Sequence, residues 1–345
     1  MTALVLRTRS GGFSVRVPMR PVLVGTGLAL VTAALAVLAI GTGDYPVSPG
    51  EVIDTLLGGG SRATSFIIET LRLPRVLCAI LVGIALGISG AMFQSLTNNP
   101  LGSPDIVGFT TGSAVGALFV ITVLGGSGLQ VSGGALAGGL VTAVLVYGLA
   151  FKRGVSGYRL VLIGIGISAL AMAAIDYLLT RARIEEAVAA TVWLVGSLNG
   201  RGWDQVRPLA GALVVLVPAA LLLARPLRQL EMGDDAARAL GWRVEPARVA
   251  VVLVAVALVA VATTAAGPIG FVALAAPQLA RRLALLPNPG IATSALMGAG
   301  LLLASDIAGQ RLVGDTQLPV GIMTGLTGGA YLAWLLVAER SRGRG

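Results

Sequence analysis

Long apolar runs alternate along this chain with short breaks rich in glycine, proline, asparagine and arginine. A helix that crosses a bilayer needs about 20 mostly apolar residues. By that measure the pattern predicts ten spans, over 21–41, 74–97, 104–124, 131–151, 158–180, 206–224, 248–266, 269–285, 290–309 and 318–338. The run 187–198 is too short to cross and reads as a half-helix lying at the interface or dipping into the protein. The first run exceeds the apolar core of a cleaved signal and leads straight into Gly41-Thr42-Gly43-Asp44, so it reads as a retained helix. Ser48-Pro49-Gly50-Glu51 predicts a short external helix through Leu57, with Ser48 as N-cap, Pro49 at the first position and Glu51 closing a capping box. The spacings Gly83/Gly87, Gly112/Gly116 and Gly325/Gly329 would let helices approach closely, although a chain with 48 glycines also produces such spacings by chance.

Composition makes lipid the required solvent. Hydrophobic residues are 55% of the 345 and charged residues only 12%, about half the usual share of a soluble domain. The net charge of +9 would suggest nucleic acid in a soluble protein, but here the basic residues lie between apolar runs and report topology instead. With ten spans both termini share one side, and that side holds 17 of the 25 basic residues: Arg7, Arg9, Arg16, Arg20, Lys152, Arg153, Arg159, Arg225, Arg228, Arg238, Arg243, Arg248, Arg281, Arg282, Arg340, Arg342 and Arg344. The bias predicts both termini in the cytoplasm.

The same inventory narrows the chemistry. There is no histidine, and Cys78 is the only cysteine. That removes zinc sites of the Cys/His kind and any Ser-His-Asp constellation. Lys152, the only lysine, has no phosphate-binding glycine loop around it, so this chain does not hydrolyse ATP. No cofactor or metal is expected. Asp176 and Asp306 lie near the outer ends of apolar runs, where pairing with Arg181 or Arg311 would give them structural roles.

Four polar segments stand out. The longest is the cytoplasmic stretch 225–248, which contains Gly233, Asp234, Asp235, Ala237, Leu240 and Gly241. It reads as a two-turn helix: Asp234 and Asp235 at the positive end, Arg238 near the negative end, Gly241 as a left-handed cap, and Ala237, Leu240 and Met232 supplying an apolar face. A helix that short needs something to dock on, either its own membrane helices or a groove on a soluble partner. Arg72-Leu73-Pro74-Arg75 opens the second span on the outside, against the charge bias, and serves either as a headgroup anchor or to meet carboxylates of an external protein. Gln94, Thr97, Asn98 and Asn99 are polar at helical spacing near the inner end of that span, where they line a pathway or hydrogen-bond between helices. Ala266 to Phe271 forms a tight break between spans, followed by Pro277-Gln278 and Arg281-Arg282.

Taken in order, these segments resemble the iron-siderophore and cobalamin (FecCD-type) permeases of binding-protein-dependent ABC importers. The resemblance rests on Arg72-Leu73-Pro74-Arg75, the run 90–101, Trp193 to Leu198, Gly233 to Gly241, Gly267 to Phe271 and Leu318 to Gly321, and covers essentially everything after the first helix. It implies an all-α, type II importer permease of ten helices in the bacterial inner or plasma membrane. The whole chain 1–345 would be one transmembrane domain, with cytoplasmic tails 1–20 and 339–345 and a coupling loop 225–248. Gly102-Ser103-Pro104-Asp105, the run 196–200 and the run 230–235 look most like the ferric-enterobactin permeases. Those work as a pair of different permeases with two ATPase subunits and an external siderophore-binding protein, which implies a ferric catecholate siderophore as cargo. In the family's terms Arg72 and Arg75, with Arg311 near a third position, match outer arginines that meet acidic residues of the binding protein. Gly233, Asp234, Asp235, Ala237, Leu240 and Gly241 match the coupling helix on the ATPase. Gln278 departs from the family, which usually has histidine after this proline, so nothing there titrates near neutral pH. Import of cobalamin or another metal chelate, and ion-coupled secondary transport, are the alternative readings.

Overall fold

The computed structural model describes residues 3–7, 14–43, 45–151, 157–312 and 317–342, with side chains over 19–43, 45–151, 157–312 and 317–334. Of the residues that set the charge bias, Arg9, Lys152, Arg153 and Arg344 lie outside the described residues, and Arg7, Arg16, Arg340 and Arg342 outside the described side chains.

Two strands come first, β1 (Ala3–Arg7) and β2 (Ser14–Pro18), paired antiparallel with Ala3 opposite Pro18. This ribbon lies in the predicted tail 1–20, and its strands are rich in the valine and leucine that suit a pleated backbone. Everything after it is helical. The first helices are α1 (Met19–Gly41), α2 (Pro49–Leu56) and α3 (Arg62–Ser65), which runs through a π-helical turn (Phe66–Arg72) into α4 (Leu73–Thr97). Next come α5 (Phe109–Thr122), α6 (Leu129–Ala150), α7 (Gly157–Arg181), α8 (Ile184–Leu194), α9 (Trp203–Leu222), α10 (Ala224–Leu230) and α11 (Asp234–Ala239). The last four are α12 (Val244–Ala266), α13 (Val272–Ala284), α14 (Ile291–Arg311) and α15 (Val320–Arg342).

Each of the ten predicted segments holds one of these helices, and among the described residues seven stretches are long and apolar enough to cross a membrane. Two segments are shorter than predicted. At 1.5 Å per residue the 14 residues of α5 and the 13 of α13 reach only about 20 Å, short of the roughly 30 Å hydrocarbon core. The first turn of the predicted third span is lost because Asn98 caps α4 in the left-handed region and Gly108, at φ +88°, delays α5 to Phe109. The 13 residues of α13 are bounded by two further left-handed residues, Phe271 and Leu285. The predicted capping box of α2 is present, Ser48 N–H donating to Glu51 Oε2 at 2.9 Å and Glu51 N–H to Ser48 Oγ at 3.2 Å.

Helix α4 is the pillar of the bundle. The most apolar stretch of α4 is 78% buried, against 17% for α1 and 22% for α7 and α9. Its glycines are the reason. A methyl group on Gly83 would sit 2.4 Å from the Gly298 carbonyl oxygen, and one on Gly87 would sit 2.2 Å from that of Ser294, so α4 and α14 touch backbone to backbone. Gly116 performs the same service for α5 against Gly134 of α6, whereas Gly325 and Gly329 face open space.

Candidate functional site

Three separated motif stretches meet in one seam. Ser197 N–H donates to the Ala266 carbonyl at 2.8 Å, and Gly321 N–H donates to that of Gly196 at 3.1 Å. Gly196 needs its positive φ of 71°, and a methyl there would fall 2.2 Å from the Pro268 oxygen. The stretches 193–198, 267–271 and 318–321 are therefore joined through backbone, which accounts for their small residues.

At this end of the bundle Arg72, Arg75 and Arg311 converge. They line one hollow of about 610 Å³ together with Tyr45, Gln310 and Gln317. Their guanidinium groups are used differently. Arg75 grips Asp306 side-on, Nε to Oδ2 at 3.0 Å and Nη2 to Oδ1 at 2.9 Å, and donates Nη1 to Gln317 Oε1 at 3.2 Å. The Asp306 side chain is only 1% exposed and accepts a further bond from Gln310 Nε2 at 2.8 Å. Arg72 donates to the Ile40 and Tyr45 carbonyls, both at 2.7 Å, and so fastens the link between α1 and α2. Arg311 closes α14, is exposed, and among the described residues makes no hydrogen bond or ion pair. The pairing expected between Asp306 and Arg311 is replaced by Asp306 with Arg75, because antiparallel packing of α4 and α14 sets those two side chains opposite each other. Asp176 is exposed on α7 and, among the described residues, forms no ion pair with Arg181.

The other end of α4 carries the predicted polar face. Gln94 is buried and donates to the Leu274 carbonyl at 3.0 Å, while Gln278 donates to Gln94 Oε1 at 2.5 Å. For Gln94 the geometry is that of a hydrogen bond between helices α4 and α13. Thr97 turns back to the Phe93 carbonyl, Asn98 takes φ +48° as the cap, and Asn99 accepts from Leu101 N–H, so these three shape the turn out of the helix. Asp105 follows in that turn. Its Oδ1 accepts a 2.6 Å bond from Thr110 Oγ1.

On the same side α10 and α11 stand out from the bundle. Gly233, at φ +95°, turns the chain into α11, and Gly241, at φ +81°, ends it. Gly241 N–H donates to the Arg238 carbonyl and Trp242 N–H to that of Ala237, the paired bonds of a Schellman cap. Arg248, buried at the start of α12, donates to Asp234 Oδ1 at 2.6 Å and to Glu245 Oε1 at 2.9 Å. Arg238 closes over Asp235 at 3.2 Å. Ala237 is fully buried against the bundle, while Leu240 is 59% exposed and Met232 and Trp242 are exposed beside it. The predicted single apolar face is thus divided: Ala237 anchors inward, and Leu240 with Met232 points away. Arg248 and Gln317 act as partners that sequence reasoning did not assign; the i, i+3 spacing of Glu245 and Arg248 was the available signal for the first.

The chain as a whole is similar to known proteins. The chain is 44% identical over 316 residues to the ferric enterobactin transport system permease protein FepG of Escherichia coli (strain K12), covering 91% of this chain and 96% of that one. It is 39% identical over 345 residues to the achromobactin transport system permease protein CbrC of Dickeya dadantii (strain 3937), covering 97% of each. A metal-chelate type ABC transporter solved in an inward-facing conformation superposes with a TM-score of 0.83 at 30% identity, over 92% of this chain and 99% of that one. Residues 16–338 match the model of the FecCD transport family, and the chain belongs to that family of ABC importer permeases, a membrane transport subunit rather than an enzyme.

Proposed function

We propose that this permease carries a ferric siderophore of the catecholate type into the cytoplasm. The observation that carries this reading is the 44% identity to the ferric enterobactin permease, spread over nearly the whole chain. A relative named for achromobactin follows at 39%, so family membership fixes a metal-chelate cargo more firmly than its class.

In this reading both termini and the α10–α11 loop face the cytoplasm, as the charge bias supports. The chain pairs with a second, different permease, two ATPase subunits and an external siderophore-binding protein. A loaded binding protein docks on the hollow of Arg72, Arg75 and Arg311. ATP binding draws the ATPases together, and they push on Gly233, Asp234, Asp235, Ala237, Leu240 and Gly241. The push passes through the Arg248 bridge and buried Ala237 into α12, and the bundle opens inward. Thr97, Asn98 and Asn99 sit at the inner mouth of the path, while Gln94 holds α4 to α13. No bond chemistry is asked of any residue here.

Uptake of labelled iron tests the cargo. Cells with and without the gene receive the iron as ferric catecholate or ferric hydroxamate, with labelled cobalamin in parallel. Loss of catecholate uptake alone, restored by the gene, is the expected result. Loss of a different cargo would discard the catecholate assignment.

A further inference from the structure

A second hollow, of about 550 Å³, opens between α6 and α9, which both pack on α12. Trp203 fixes its level in the membrane. The indole Nε1 donates to the Glu69 carbonyl at 2.9 Å, in the π-helical turn that leads to Arg75, so the hollow lies at the Arg75 end of the bundle. A tryptophan at the end of a spanning helix, apolar in body and polar at its tip, sits at the depth of the lipid headgroups. From Leu129, at the start of α6, the lining runs to Leu136, about 10 Å farther along that helix. The hollow therefore extends from headgroup level into the acyl region.

Most of the lining is apolar, with Leu136, Leu209 and Val261 among it. The exceptions include two opposite charges, Asp204 and Arg207, in the first turns of α9. Their i, i+3 spacing would let them pair with each other. Both are exposed, and among the described residues neither makes an ion pair or a hydrogen bond. Pro208, also on the lining, has no N–H, so the helical bond that the Asp204 carbonyl would accept is missing. The mouth thus offers one forked cation, one carboxylate and one freed backbone acceptor above an apolar floor.

We propose that this groove holds a phospholipid with a primary ammonium headgroup, of the phosphatidylethanolamine kind. Its phosphate meets the Arg207 guanidinium, whose planar fork fits phosphate oxygens. Its ammonium donates to the Asp204 carboxylate and carbonyl. One acyl chain lies against Leu136, Leu209 and Val261. An anionic lipid would satisfy Arg207 but set like charge beside Asp204. A choline headgroup has no N–H for either Asp204 acceptor. The inference is independent of the cargo and of the docking reading, because it needs only that this end of the bundle lies at headgroup depth.

Native mass spectrometry of the assembled, delipidated transporter tests this, titrated with phosphatidylethanolamine, phosphatidylglycerol, phosphatidylcholine or soluble phosphoethanolamine. The wild type is expected to bind phosphatidylethanolamine about tenfold more tightly than phosphatidylglycerol, with phosphatidylcholine between them and phosphoethanolamine far weaker. Arg207→Gln should weaken phosphatidylethanolamine binding about tenfold, and Asp204→Asn should erase its advantage over phosphatidylglycerol. Leu136→Trp fills the apolar floor without touching either charge and should also lower binding, so the groove can be probed even if a charge variant fails to assemble. Equal binding of phosphatidylglycerol and phosphatidylethanolamine by the wild type overturns the proposal. So does phosphatidylethanolamine binding that all the assembled variants retain. Phosphoethanolamine that binds as tightly as the lipid would show a soluble zwitterion as the ligand and discard the lipid.

Discussion

The two ends of α4 handle charge in opposite ways. At the Arg75 end, arginines turn back onto their own protein, and the surface left for a visitor is polar, with one uncommitted guanidinium on a shallow hollow. At the Asp234 end, charge holds the structure together beneath, through Arg248, while apolar Leu240, Met232 and Trp242 face outward. A polar hollow suits a partner that arrives and leaves with each cycle, because charge acts mainly on the rate of encounter. An exposed apolar patch suits a partner that stays, since it is left open to water until it is covered. In the proposed reading the permease thus offers a polar surface to a transient partner on one side and an apolar one to a resident partner on the other.

The sharpest way to break the contrast is to remove the buried acid of the Arg75 end. Asp306→Ala leaves the partly buried Arg75 guanidinium without its carboxylate and should cost about 3 kcal/mol, seen as a fall in melting temperature of the solubilised protein. Arg248→Ala should cost about 1–3 kcal/mol, because Asp234 is partly solvated; its clearer signature is ATP hydrolysis that no longer responds to loaded binding protein. The smallest effect is at the exposed patch. Leu240→Asp should leave melting unchanged and lower co-purification of the ATPase by about tenfold.

Much of this architecture is written in the hydrophobic pattern. All ten apolar segments become helices, since a run of that length and composition has few other ways to satisfy its backbone in lipid. The Schellman cap at Gly241 and the capping box at Glu51 are local events within a few residues, so sequence alone locates them. The partner of Asp306 was not legible. Arg311 is five residues away in sequence, whereas Arg75 is 231 away and meets Asp306 only because the glycines of α4 and α14 let the helices touch. Gln94 shows the same limit: helical spacing exposes a polar face without saying that Gln278 fills it. The division of the α11 surface between Ala237 and Leu240 likewise depends on where the bundle lies, which a two-turn period cannot specify.

The enclosure of α4 has a mechanical meaning. A helix with little contact with lipid does not tilt or stretch to match the bilayer around it. Its 25 residues form a strut about 37 Å long that joins the two proposed partner surfaces. In a thinner or thicker membrane the peripheral helices α1, α7 and α9 would absorb the mismatch, and the distance between the Arg75 hollow and the inner end of α4 would stay the same.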